Sequence, residues 1–399
     1  MHEFWITLHR WSGLFMVLFL TIAGVTGCIL VFRGPIDREL NPGLYRLHAA
    51  SGPTTPDVAV AAVHAYQAGH RDEQVVQFPL NVPANRALPV KVAARPGAPA
   101  PATDEVFLDP ADGSVIGRRA SGPGWDRAHF IAGVSDLHFT LLAGTWGRWL
   151  LGVVALVWLI SNFIGAWLTW PQRPPYWKQW KRNWQFRRSS AMPRLLLDLH
   201  RASGLWLLPA LIVLAFTSAA LNFFSEAWEP AVTAISPLER NLFDHEAPFP
   251  EGTSPTLRFA DGLAAAKAQA ARDGLAWQPA AMLYLPEWNF YGVKFTPDGI
   301  LDYRDLGPVD YYFDAHSRRF AHEVNPYDDS TGLAAIRILY PLHSGEIFGG
   351  ATVAVIFLAG LTTVGQGVTG VYVWWKKRKS RVARLRAARA KDRNGLPTP

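Results

Sequence analysis

Four long apolar runs, Ser12–Phe32, Trp149–Trp170, Gly204–Phe224 and Ala351–Trp375, dominate the chain. A helix needs about 20 apolar residues to cross a bilayer, so each run reads as one membrane-spanning helix. Only 18 % of the residues are charged and 17 are Trp, a balance that fits a membrane protein with sizeable soluble parts. The first run lacks the short apolar core and small-residue cleavage site of a signal peptide, and is expected to remain as a helix. Cys28 is the single cysteine, which excludes an internal disulfide and a thiolate-bound metal cluster.

Charge orients the runs. The linker Pro171–Arg194 carries seven Lys/Arg and no Asp/Glu, and the tail Lys376–Pro399 carries ten Lys/Arg against one Asp. The long segments differ: Gly34–Leu137 has nine basic and eleven acidic residues, Ser225–Leu342 nine and seventeen. Basic segments stay in the cytoplasm, so both termini and the linker are expected inside and both long loops outside. The net charge of +7 is thus placed for topology and lipid headgroups rather than for nucleic acid.

The chain is written twice. Laying His9 on His200 aligns "HRWSGL" with "HRASGL" and Thr26 with Thr217. Laying His138 on His343 aligns "LHFTLLAG" with "LHSGEIFG", Gly144 with Gly349, Gly165 with Gly370 and Trp170 with Trp375, without a gap. The expected fold is an integral membrane protein, mainly α, of four transmembrane helices arranged as two parallel helix–module–helix repeats. Boundaries follow: helix one in 1–33, a periplasmic module in 34–137, helix two in 138–170, the linker 171–199, helix three in 200–224, a second module in 225–342, helix four in 343–375 and the tail 376–399. Each module is expected to be a small α+β unit. "TPDVAVAAVHAYQAGH", capped by Thr55 or Asp57, and "TLRFADGLAAAKAQAARDG" read as helices. "PAAMLYLP" and "NFYGVKFTPDG" read as strands, "EVFLDPADGSVIG" and "DYYFDAHSRRFAHEV" as hairpins.

Four of the 12 histidines recur in register at helix ends: His9 and His200 at the cytoplasmic level, His138 and His343 at the outer level. An ionisable ring at membrane depth is costly without a partner. Two imidazoles from opposite sides are what six-coordinate haem iron needs, whereas two per level make a poor tetrahedral zinc site. The expected ligands are His9 with His200 and His138 with His343, holding two haems, the other use for such rings being hydrogen bonds to backbone carbonyls or lipid headgroups; without a CxxCH motif the haems are non-covalent, b-type. Arg10, Arg201 and Arg148 are candidate propionate contacts, or ordinary interfacial cations. Gly13 and Gly204, one turn beyond their histidines, leave room for a porphyrin or for close helix packing. Trp149, Trp170, Trp374 and Trp375 suit interfacial belts.

With "LHRWSGL…TGCILVF", "LHFTLLAGTWGRWLLG" and "PLHSGEIFGG…VTGVYVWWKKRK" the chain resembles, over nearly its whole length, the PepSY-associated transmembrane family of iron-regulated inner-membrane proteins. The resemblance implies PepSY-like modules in the two loops, haem ligation at His9, His138, His200 and His343, and an activity like that of FoxB-type ferric-siderophore reductases. Asn162, within "LISNFIGAWLTWPQ", departs from the plainer apolar run usual there.

No nucleotide-binding glycine motif is evident, so electrons are expected from a quinol or a cytoplasmic reductase. Three functions fit: a di-haem reductase releasing iron from a ferric siderophore as Fe(II), a haem conduit to another periplasmic acceptor, and a non-redox membrane protein whose modules bind a partner. No acid/base dyad is required or evident. For a chelate, Trp125, Arg127 and His129 in "GWDRAHFIAGVSD", with Tyr327 and Arg337 in "NPYDDSTGLAAIRILYP", are candidate contacts, because these segments directly precede the outer histidines; packing of the modules onto the membrane is the other use for them.

Overall fold

The computed structural model describes residues 1–47, 49–187, 191–238 and 255–393, with side chains to residue 378 in the last helix. The basic residues of the tail beyond Arg378, and Arg188 of the linker, lie outside the described side chains. Three helices are long and apolar enough to cross a membrane: α1 (His2–Leu30), Gly144–Thr169, and the first 29 residues of Gly350–Arg393. A pair bent by 72°, Met192–Trp206 and Leu208–Asn222, makes a fourth crossing if the two helices form one span.

Following the chain, α1 leads by short helices to α2 (Pro56–Gly69) and strands β1 (Glu73–Pro79), β2 (Leu88–Ala94), β3 (Glu105–Leu108) and β4 (Val115–Arg119). Next come α3 (Phe130–Thr140) and α4 (Gly144–Thr169), the linker, then α5 (Met192–Trp206) and α6 (Leu208–Asn222). The second half adds α7 (Phe259–Arg272), β5 (Gln278–Leu285), β6 (Phe290–Thr296), β7 (Val309–Asp314) and β8 (Phe320–Val324), and ends in α8 (Leu339–Ser344) and α9 (Gly350–Arg393).

The two loops were expected to fold as separate modules. Instead they share one antiparallel sheet of order β4-β3-β2-β1-β5-β6-β7-β8. Each half contributes four strands reading outward from the β1–β5 joint, where Gln77, Phe78 and Pro79 face Leu283, Met282 and Ala281. Asn81 Nδ2 reinforces the joint by donating to the carbonyls of Pro279 and Gly299, both at 2.8 Å. The helices α2 and α7 cover one face, and a single core runs through both halves, from Val63, Tyr66 and Leu88 to Leu263, Met282 and Tyr311. Thr55 takes the N-cap position of α2, but no side chain caps that end; α7 has a reciprocal cap between Arg258 and Asp261.

Three expected helices begin or run differently. The second does not start at His138: α3 carries that residue and ends at Leu141 and Leu142, both with positive φ, before α4 begins. Gly147 allows the junction, since a Cβ there would lie 1.6 Å from the Thr140 carbonyl oxygen. The fourth is likewise preceded by α8, which carries His343 and ends at Gly345 with φ 83°. The third bends by 72° between α5 and α6, because Pro209 has no N–H to continue the ladder. The apolar run continues through the bend at Pro209, whereas the turns at Leu141–Leu142 and Gly345 lie before their apolar runs begin.

The bundle packs around Met16, Val154, Trp158, Leu211, Leu214, Ala215 and Ala359. Helices α1 and α9 approach closely where Gly24 and Gly360 meet, and Cys28 lies in the same seam, its Sγ 3.7 Å from the Phe357 carbonyl. Small residues serve this purpose when there is no water to drive helices together. Asn162, the polar departure in α4, donates to the Leu211 carbonyl across the bundle at 3.3 Å.

Candidate functional site

The bundle brings the four register-matched histidines together as two pairs. His9 and His200 stand with ring centres 6.5 Å apart and planes at 75°; His138 and His343 stand 6.2 Å apart at 55°. Each pair joins one half of the repeat to the other. The levels are set along α1: His9 lies on it, and Thr26, which bonds His138, is 17 residues further on, about 25 Å at 1.5 Å per residue. The second pair lies at the end of the bundle from which the sheet is suspended.

Each ring is held by a hydroxyl from the other main helix of its own half. Thr26 Oγ1 is 2.9 Å from His138 Nδ1, and Thr217 Oγ1 3.1 Å from His343 Nδ1. Ser161 Oγ is 2.9 Å from His9 Nδ1, and Thr369 Oγ1 3.1 Å from His200 Nδ1. Behind three of the rings the neighbouring helix carries glycine. A Cβ on Gly165 would lie 3.2 Å from His9, on Gly27 3.2 Å from His138, and on Gly370 3.6 Å from His200. The sequence shows the Gly165–Gly370 and Thr26–Thr217 matches, but not that they seat imidazoles. Ser161 and Thr369 are not in register, since Gln366 stands opposite Ser161, so no repeat signal could find them.

The donor sets can be tested against the groups they would hold. Two imidazoles on opposite sides of one ion, each about 2 Å from it through a ring nitrogen, have centres roughly 6 Å apart. Both pairs meet that spacing. Among the described residues no cluster of three or more His, Cys, Asp or Glu could hold a metal ion. The pairs therefore suit an ion that brings its remaining ligands with it, as haem iron does, and not a tetrahedral protein site. Next to the first pair, Arg10 Nε and Arg201 Nε are buried without a hydrogen-bond partner among the described residues, which fits an acidic group from a bound molecule. A Cβ on Gly13 would meet nothing within 4 Å, so space remains beside His9; the matching position at Gly204 is filled by the Gln366 side chain, 2.6 Å from such a Cβ.

The other candidate contacts are largely engaged. Arg201 Nη2 bonds the buried Asp198 at 2.7 Å, and Arg187 reaches the same carboxylate from the linker. Arg148 bonds the Asn222 carbonyl and forms an ion pair with Glu226, which also accepts from Trp149 Nε1 at 2.7 Å. These bonds hold the Glu226 carboxyl down at about 2, and they tie α4 to the end of α6. Arg127 donates to the Leu40 carbonyl at 2.6 Å, His129 pairs with Asp126 at 2.7 Å, and Arg337 lies 3.6 Å from the buried Asp310. Tyr327 donates to the Gly307 carbonyl at 3.0 Å and packs edge-on to Trp277. Of the five candidates for a chelate, Trp125 is 58 % exposed and Tyr327 42 %.

A family model described as the PepSY-associated TM region matches residues 6–377, nearly the whole chain. No curated protein matches it.

Proposed function

This chain belongs to the PepSY-associated transmembrane family, a multi-pass membrane protein, and from that premise we propose that it is a di-haem b reductase of the bacterial inner membrane. In this proposal both termini are cytoplasmic, the sheet is periplasmic, and the acceptor is a ferric siderophore or another ferric chelate, released as Fe(II). The observation that carries the proposal is the spacing of the two imidazole pairs, 6.5 and 6.2 Å between ring centres. A bound haem supplies reversible one-electron transfer.

The residues around the pairs have definable tasks. His9 with His200 and His138 with His343 present ring nitrogens at two depths, so that charge can cross the apolar layer. Arg10 Nε and Arg201 Nε offer unpaired donors at the inner level. The shared sheet covers the outer level, where the exposed faces of Trp125 and Tyr327 suit a bulky chelate. Reduction of Fe(III) weakens the hold of a hard-oxygen chelator, so the protein needs no acid or base at the acceptor. The donor is a membrane quinol or a cytoplasmic reductase.

The test is to reduce the purified protein with dithionite, add a ferric siderophore without oxygen, and follow reoxidation in the visible spectrum. Reoxidation faster than that of free haem in detergent, and slowed by replacing Trp125 and Tyr327 together, supports a reductase. A haem spectrum that no ferric chelate reoxidises makes the protein a conduit to another acceptor. A chain with no haem spectrum is a non-redox binding protein.

A further inference from the structure

Resting on the proposed haem sites, we propose that the hydroxyls of Thr26, Thr217 and Thr369 are positioning residues: they hold His138, His343 and His200 with Nδ1 protonated and Nε2 bare, and so set the redox potential of the sites.

The direction of the hydrogen bonds follows from counting hydrogens. A hydroxyl has one. Thr26 donates its own to the Ile22 carbonyl at 2.7 Å, Thr217 to the Val213 carbonyl at 2.8 Å, and Thr369 to the Gly365 carbonyl at 2.7 Å. Each can then only accept from the imidazole, which must donate through Nδ1. A neutral imidazole that carries its hydrogen on Nδ1 leaves Nε2 as the free electron pair. The rings of His138, His343 and His200 are thus fixed in the form that can ligate.

A donated Nδ1–H bond makes the ring a stronger electron donor through Nε2. That favours the more highly charged ferric state and lowers the potential. The outer level is symmetric, with two threonines in repeat register, each locked to the carbonyl four residues back. The inner level is not. Ser161 has the Ser12 hydroxyl 3.5 Å away and replaces the locked threonine found opposite His200. Changes at Thr26 and Thr217 should therefore be equivalent, and changes at Ser161 and Thr369 unequal. Serine and threonine often back-bond their own helix without further purpose, and the experiment separates that role from this one.

The full chain would be purified in detergent as wild type, as Thr26→Val/Thr217→Val, and as Thr26→Ser/Thr217→Ser. Haem content and a spectroelectrochemical titration would be measured for each. The valine variant keeps the shape and the helix but removes the acceptor. In it the outer midpoint potential is expected to shift positive, or the outer haem to be lost, with the inner potential unmoved. The serine variant should restore the wild-type values. Unmoved potentials with full haem content in the valine variant would overturn the assignment alone, as would a loss that serine does not restore. A wild-type chain without haem would overturn the proposed function and this assignment with it.

Discussion

The imidazoles of His9 and His200, from opposite halves of the chain, face each other with ring centres 6.5 Å apart. The repeat therefore makes histidine pairs and not only helices: each half supplies one ring to each level, and neither half alone could complete a pair. The same division holds in the sheet, where four strands from each half meet at one joint.

The inner pair depends on a missing side chain. Gly165 lies behind His9, with only 3.2 Å between a hypothetical Cβ and the ring. Valine there would push the imidazole toward its partner, an overpacking of about 1–3 kcal/mol. Gly165→Val should halve the reduced-minus-oxidised haem signal and leave the outer site loaded. A full signal would show that the ring has room to move.

The joint of the sheet depends on Asn81, which donates to the carbonyls of Pro279 and Gly299. Asn81→Ala leaves both acceptors without this partner, at about 1–3 kcal/mol. The variant should be cut faster by a periplasmic-side protease in the segments flanking β1 and β5, while the haem spectrum is preserved. Equal cutting rates would mean that the backbone ladder alone holds the halves together.

How much of this was legible in the sequence depended on whether the signal ran along the chain. Apolar length and repeat register are one-dimensional, and they located the three long helices, the bent pair and the four histidines. The turn at Leu141 and Leu142 carries no glycine or asparagine to mark its left-handed backbone, so α3 and α4 read as one helix. Pro209 did mark the bend in the third span, but the apolar run continued past it. The β1–β5 pairing is a contact between halves that no local pattern encodes, and so the sheet read as two modules. The partner of Arg148 was equally invisible, since Glu226 lies 78 residues away and meets it only through packing, whereas Asp198 and Arg201 stand at a helical i,i+3 spacing that the sequence does show.

His64, on α2, stacks on Phe259 beneath the charges of Arg258 and Asp261. Its Nε2 is buried without a partner. Burial first, and the Arg258 charge second, lower its pKa against the opposing effect of Asp261. A histidine whose folded pKa lies below the unfolded value near 6.5 favours the fold fully above that value, and the contribution falls as pH drops through it. The Tm of the strand signal should therefore decline from pH 7.5 to 5.5, and His64→Phe should flatten the decline. A steeper dependence in the variant would contradict this.

The proposed topology places the sheet outside. In a chain with Cys28→Ala, a membrane-impermeant thiol reagent applied to spheroplasts should label Ser114→Cys and Ser317→Cys, both on exposed turns. It should miss Gln185→Cys in the basic linker. The reverse pattern would invert the membrane orientation and the direction of electron flow.

The central claim is that each imidazole pair holds one haem, and a pyridine haemochrome assay on the purified chain tests it most directly. Two b-type haems per chain are expected, falling to one in His9→Ala/His200→Ala and to one in His138→Ala/His343→Ala. No haem in the wild type, or an unchanged ratio in either double variant, would contradict it.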